Sequence, residues 1–420
     1  MKAFLRTFTI LMLSHTALFA QLTVEACYEK ARNNYPQIRQ YELTEKSKEY
    51  DLANANKGYL PQFSLSAKAS WQSETVELPF SIPGIEFDGL PKDQYQVAVE
   101  VNQTIWDGGT IRSQKKITNY SSEVEKQKIE VELYALRERV NQLFFGILLL
   151  NEQLKQVDLL QEELKNSYNK ISSLIESGLS NQSDLDVIRV EQLKANQRKT
   201  ELQTTTKAYK EMLSFFIGET VSETTELIKP EILFSENTIQ TNNRAELLLF
   251  DAQNNLFDSH KKSLNAFSMP KIGLFAQAGY GQPGLNMLKD EFSPFFIGGI
   301  RLNWNLGNLY TNNNSHRKIE LSKQNVQIQR DIFLFNTNLK ISQQSSEIRK
   351  MQEVIRSDDE IIMLRRNIKE ATRIKMENGI LSTTDLVREI NAENTAIQGK
   401  ILHEMQLLIN IENLRITTNN

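Results

Sequence analysis

The sequence predicts an α+β membrane protein in which long antiparallel coiled-coil helical hairpins carry four β-strands, arranged as an internal two-fold repeat. Three observations lead there. Glu176–Leu185 reads ESGLSNQSDL and, 201 residues on, Glu377–Leu386 reads ENGILSTTDL. All nine prolines lie at or before position 91 or between 230 and 294, so long unbroken helices are allowed only over 92–229 and 295–420. Four stretches of about ten residues flanking those spans alternate apolar and polar side chains, which is the strand period.

Further anchors support the doubling. Val101-Asn102 and Leu302-Asn303 keep the offset of 201, while Leu60-Pro61 against Met269-Pro270 share 209, so the first copy carries a longer excursion between Pro61 and Val101. The expected divisions are a signal peptide at 1–20, a first repeat at 21–230 and a second at 231–420. Lys2 and Arg6 ahead of the apolar runs Phe8–Leu13 and Ala17–Ala20 have the layout of a secretory leader. Its removal leaves a chain two charges more acidic than the formal −3 of the whole, which gives no footing for a nucleic-acid partner. Cys27 is the only cysteine, so no intrachain disulfide can form. It is either a lipidation site, which Glu25 and Ala26 before it fit poorly, or an apolar helix position.

From Gln21 to Lys57 the pattern is helical, interrupted by Pro36. Phe63, Leu65, Ala67, Ala69 and Trp71 then alternate with polar residues, and Tyr95, Val97, Val99 and Val101 answer them across a long turn at 77–92 rich in Pro and Gly. The second pair runs through Ile272–Tyr280 and Phe296–Asn305. Strands about ten residues long with one apolar face and aromatics near the ends suit a transmembrane barrel; a soluble two-layer sheet is the competing reading. Four strands cannot close alone and open edges are not viable in lipid, so a barrel would be shared between subunits. Leu65, Val99, Leu274 and Ile300 are the candidates to face lipid.

Trp106-Asp107-Gly108-Gly109 marks a strand-to-helix turn in which Asp107 can cap free amides. Beyond it, Val140, Ile147, Leu154, Tyr168 and Ile175 share one heptad position and Leu143, Leu150, Val157, Leu164 and Ile171 another, a coiled-coil seam on a helix on the order of 100 Å long. Each repeated decamer is a hairpin tip: Gly178 and Gly379 end the outgoing helices, and Ser/Thr followed by Asp-Leu starts the return. The returns are expected over 184–217 and 384–411. At the tips Asp184 and Asp385 are either helix-start residues or part of a pore.

No catalytic constellation appears. The histidines His260, His316 and His403 are scattered and read as solvated helix positions, without carboxylate pairs, nucleophile motifs or phosphate loops. An enzyme, a cofactor and a metal centre are not expected.

Together these pieces resemble the outer-membrane efflux protein family, the TolC-like channel-tunnels. The resemblance rests on LTVEACYEKARNNYPQI at Leu22–Ile38, LPQFSLSA at Leu60–Ala67, WDGG at Trp106–Gly109, SGLSNQSDLDV at Ser177–Val187, NNRAELL at Asn242–Leu248, MPKIGLFA at Met269–Ala276 and NGILSTTDLV at Asn378–Val387. It implies a homotrimer whose subunits share one barrel in the outer membrane and extend their helices into the periplasm. It implies, too, a passive exit duct of a tripartite efflux pump or type I secretion system, joined to an inner-membrane efflux transporter through a periplasmic adaptor. The tips, with Gly178, Leu179, Gly379 and Ile380, would meet the adaptor. Asp385, with Asp184, Asp186 and Arg388 near it, would form the pore constriction. Asp385 matches an acidic constriction position of the type member, Arg388 replaces a second acidic residue, and Met376 and Leu381 stand where that member has a gate-latching Tyr and Arg. The alternative is a periplasmic coiled-coil adaptor or scaffold. An adaptor should have one tip and a β module between its hairpin helices, whereas here there are two tips and the strands flank the rods.

Overall fold

The computed structural model describes residues 22–75, 91–231, 242–287 and 289–419. The signal segment expected at 1–20, most of the turn at 77–92 and residues 232–241 lie outside the described residues. In chain order the elements are α1 (Val24–Asn34), α2 (Ile38–Lys57), β1 (Gln62–Trp71), β2 (Asp93–Trp106), α3 (Thr110–Glu176), α4 (Gln182–Ile217), α5 (Ala245–Phe267), β3 (Lys271–Gln282), β4 (Ser293–Asn303), α6 (Asn308–Glu377) and α7 (Thr383–Thr418). Two compact units emerge: a helical unit from residues up to 38, 132–244 and 334–420, and a sheet unit from 39–131 and 245–333. α3 and α6 each give residues to both units. No helix among the described residues is long and apolar enough to cross a membrane.

The sheet unit holds one antiparallel meander in the order β1-β2-β3-β4, with β1 and β4 at its edges. Two glycines on one face are covered by aromatic rings. A Cβ at Gly279 would fall 2.4 Å from the Phe295 ring, and one at Gly299 would fall 3.1 Å from Phe275, so these rings lie flat on the sheet. β4 stops at Asn303, short of the expected Asn305. Trp304 and Asn305 serve the following turn instead, through Trp304 Nε1 donating to the Ser268 carbonyl (3.0 Å) and the Gly307 amide donating to Asn305 Oδ1 (3.1 Å). At the start of α3 the amides of Gly109 and Ile111 donate to the Asp107 carboxylate at 2.9 and 2.6 Å. Gly108 there has φ 69° and no room for a side chain, since a Cβ would lie 2.7 Å from Met269 Cβ.

In the helical unit, Val24, Cys27 and Ala31 of α1 pack with Val140, Phe144, Phe145, Leu213 and Ile217 in one buried cluster. Leu22 forms a parallel bridge with Leu227, its amide donating to the Glu226 carbonyl and its carbonyl accepting from Ile228, both at 3.0 Å. Val221 and Leu227 join the same core, so the segment after α4 lies against α1. Cys27 is completely buried and burial pushes its thiol up to about 12, which makes it an apolar helix position. The Asn34 amide donates to the carbonyls of Phe215 and Phe216 (2.9 and 3.1 Å) where α4 ends at Gly218 with φ 72°. The α7 return runs to Thr418 rather than Ile411, closed by Asn419 in the left-handed conformation. The expectation that every histidine is a solvated helix position is corrected at His403, which is half-buried with Nδ1 2.7 Å from Asp358 Oδ2; packing of α7 on α6 creates the pair.

The distal halves of the two hairpins share an apolar cluster of Leu160, Leu164, Ile171 and Ile188 with Met376, Leu386, Val387 and Ile390. Beside it lies a buried ion network. Lys369 Nζ reaches Glu163 Oε1 of α3 (2.7 Å) and Glu393 Oε2 of α7 (2.5 Å), Arg373 reaches Glu163 (3.0 Å), and Arg366 reaches Glu393 (3.1 Å). Burial alone pulls the Lys369 ammonium down, but its bonds to Glu163 and Glu393 leave it above its ordinary value. Burial likewise raises the Glu393 carboxyl, and the bonds from Lys369 and Arg366 outweigh it, leaving it below its ordinary value. Glu393 therefore contributes stability above the ordinary glutamate value near 4.5, lost as pH falls through its depressed value. Lys369 contributes below 10.5, lost as pH rises through its raised value. Replacing Lys369 with Met should leave Glu163 and Glu393 with one arginine partner each and cost about 1–3 kcal/mol. Denaturant unfolding at pH 7 checks this, and the loss of midpoint should shrink at pH 4, where Glu393 of the variant, no longer held down by Lys369, takes a proton more readily.

Candidate functional site

Two regions gather the residues singled out by sequence: the hairpin tips in the helical unit and the two faces of the sheet. The tips have the same local construction. After α3, the Gly178 amide donates to the Ile175 carbonyl (2.9 Å) and the Leu179 amide to the Leu174 carbonyl (2.8 Å). After α6, Gly379 donates to Met376 and Ile380 to Lys375, both at 2.9 Å. This is the Schellman closure, which needs a left-handed residue, and Gly178 and Gly379 supply it with φ 74° and 70°. Open space surrounds both glycines. Leu179 and Ile380 follow them with 75% and 71% of their surface exposed.

Each return helix begins with a capping box. Asn181 Oδ1 accepts from the Asp184 amide (3.2 Å) and the Asp184 carboxylate accepts from Asn181 (3.4 Å); Ser382 and Asp385 do the same at 3.2 and 3.1 Å. Asp385 also accepts from Ser382 Oγ (2.7 Å) and pairs with Arg388 (3.3 Å). Ser382's hydroxyl, then its amide, and lastly Arg388 hold the Asp385 carboxyl below its ordinary value. Arg388 divides its charge, reaching Glu389 at 3.3 Å as well. Asp186 is exposed and accepts from Gln182 (3.0 Å). The tips are brought side by side: Leu185 and Val187 of one hairpin share the apolar cluster with Leu381, Leu386 and Val387 of the other, and Asn391 donates to Glu191 between the return helices (3.1 Å). Met376 and Leu381 hold that contact through apolar packing.

In the sheet, residues paired across antiparallel strands point to one face. Leu65 pairs with Val99, Val99 with Ala278, and Leu274 with Ile300, while Leu274 and Ala278 are four residues apart on β3. All four candidates therefore share a face. They are joined on it by Phe63, Val97, Val101, Ile272, Phe296 and Leu302, and Leu65, Phe63 and Ile300 each expose more than 70% of their surface. Trp71, Tyr95 and Tyr280 lie toward one end, where Phe292 stacks on both tyrosines at 6.4 and 5.7 Å, and Phe63 and Trp106 lie toward the other. Eight residues separate Phe63 from Trp71, about 27 Å of extended chain, close to the apolar band of an outer-membrane barrel. The opposite face carries Ser64, Ser66, Gln96, Asn102 and Gln277, with Glu100 and Arg301 in contact at 3.1 Å.

Sequence reading missed a second set of exposed apolar residues on α6: Leu321, Ile328 and Ile332 in the sheet unit, and Ile361, Leu364 and Ile368 in the helical unit. Their spacings of three, four and seven were the available signal. Among the described residues no group of His, Cys, Asp or Glu is arranged to hold a metal ion.

Comparison with known proteins places this geometry. Residues 27–219 match the family described as Outer membrane efflux protein. No curated protein matches the chain by sequence. Among solved structures the fold is similar to VceC of Vibrio cholerae (12% identity, TM-score 0.65, covering 94% of each chain). It is similar also to the outer-membrane channel OprN (12% identity, TM-score 0.69, 94% of this chain and 89% of that one). The CmeC outer membrane channel of Campylobacter jejuni matches at 12% identity and TM-score 0.64, over 94% of this chain and 85% of that one. At such identities the likeness is one of fold, and the sequence match over 27–219 adds the family. Residues 27–219 therefore match the Outer membrane efflux protein family in sequence, and the chain as a whole has the fold of these outer-membrane channels.

Proposed function

We propose that this outer-membrane efflux channel works as a homotrimer of a doubled chain, in which three four-stranded sheets close one barrel in outer-membrane lipid and the helical hairpins reach into the periplasm as an exit duct. The observation that carries this reading is the sheet: one face apolar and exposed between aromatic ends, the other richer in polar residues, with both edges unpaired among the described residues. Lipid accepts such a sheet only when its edges are joined, and β4 of one copy against β1 of the next joins them. A soluble adaptor would leave that face in water. The unpartnered stripes on α6 suit helix packing between copies.

In this reading the duct is passive and serves a tripartite efflux pump, with a periplasmic adaptor meeting the tips and an inner-membrane efflux transporter behind it; a type I secretion system would use the same parts. Leu179 and Ile380 are the apolar contacts offered to the adaptor, and Asp385, Asp184 and Asp186 set the charge at the entrance, offset by Arg388.

Three measurements test these assignments. Arg in place of Leu65 or Ile300 should cost about 2–4 kcal/mol near mid-membrane and reduce the heat-modifiable trimer recovered from outer membranes, while Arg in place of Ser66 should not. Equal recovery from both faces would count against the barrel.

A photo-crosslinker at Leu179 or Ile380 should capture a periplasmic adaptor in cells, and Gly178→Val or Gly379→Val should abolish that adduct while the trimer persists, because Val resists positive φ. Absence of any adduct at both tips removes them from docking.

In planar bilayers Asp385→Ala should lower cation over anion permeability and Arg388→Ala should raise it. Unchanged selectivity in both would leave these residues as helix caps alone.

A further inference from the structure

The polar face of the sheet is not neutral. By register it presents Lys68, Lys271 and Arg301 against a single carboxylate, Glu100. Arg301 extends from β4 across β3, its guanidinium 4.4 Å from the centre of the Phe275 ring, and its Nη1 donates to Glu100 Oε1 (3.1 Å) and Asn102 Oδ1 (3.2 Å) of β2. Glu100 Oε1 accepts a further bond from the Asn102 amide at 3.0 Å. The carboxylate is thus spent on partners and 27% exposed, whereas the Arg301 side chain is 52% exposed. Lys68 is exposed and pairs with no carboxylate among the described residues. Lys271 is exposed, its Nζ 5.9 Å from the centre of the Phe267 ring, and lines one cleft with Asp107 and Arg301. On the same face the Phe275 and Phe295 rings pack against Gly299 and Gly279.

We propose that this face makes the strand end of the duct an anion-favouring passage, with Lys68, Lys271 and Arg301 as selectivity-determining residues for acidic solutes. The inference rests on the duct reading, since closure with the apolar face outward turns these side chains into the lumen. Three copies repeat the cations around one axis, and low-dielectric walls focus their field along it. Glu100 then acts as a positioning residue that orients Arg301 and trims its charge.

The test is the reversal potential of the full-length trimer in planar bilayers under a KCl gradient at low ionic strength, where screening is weak. Combined Lys68→Gln, Lys271→Gln and Arg301→Gln should lower anion over cation permeability by at least about twofold, and Glu100→Gln should raise it. Lys68→Gln alone, which breaks no ion pair, should shift the potential in the same direction as the triple variant and guards against failed folding at Arg301. Channels of wild-type conductance whose potential is unmoved by Lys68→Gln and by the triple change would overturn this inference and leave the duct standing. A wild-type trimer that forms no conducting channel would overturn both.

Discussion

A four-stranded sheet ends in two rows of unpaired backbone amides and carbonyls, and in this chain those rows border a face that is almost entirely apolar. Water can satisfy the edges but penalises the face, and lipid accepts the face but cannot satisfy the edges. Joining edges between copies resolves both at once. In the proposed duct the exposed stripes on α6 are surfaces for a neighbouring copy, and the unequal treatment of the two strand faces is the difference between lipid and lumen.

The helical unit is held by two different kinds of contact. Near its middle, α1 and the segment after α4 are locked by dry apolar packing around Phe144, Phe145 and Cys27, with backbone pairing at Leu22. Toward the tips the apolar seam is thinner and the Lys369 network joins α3, α6 and α7. Apolar packing of this kind is indifferent to pH. The ion network gains less net energy, since desolvation offsets much of the Coulombic attraction, but it punishes loss of any one partner and so enforces one pairing of the two hairpins.

The tips show how ordinary helix physics can produce an interaction surface. A Schellman closure at a left-handed glycine and a capping box three residues later satisfy the free amides and carbonyls of four helix ends with short loops. Because the backbone is closed internally, Leu179 and Ile380 are free to project, and the carboxylates of Asp184 and Asp385 are already ordered by the caps before any partner arrives. The same side chains thus serve local structure and, in the proposed duct, the charge of the entrance.

Much of this was legible in the residues themselves. The absence of proline from 92–229 and 295–420 determined where long helices were possible, and strict alternation determined the four strands and their apolar face, since both depend only on local backbone and side-chain geometry. The repeated glycine and capping residues likewise marked the turns before any coordinates. What local periodicity does not contain is which strand pairs with which, which helix faces are left bare, and which charges are buried. The register that puts Leu65, Val99, Leu274 and Ile300 on one face depends on β2 pairing with β3, from Tyr95 with Gln282 to Trp106 with Ile272, far apart in the chain. Arg301 meets Glu100, and Lys369 meets Glu163, across similar separations. His403 looked solvated because Asp358 stands 45 residues away on another helix. These contacts are decided by packing between distant parts of the chain, and only the tertiary structure holds that information.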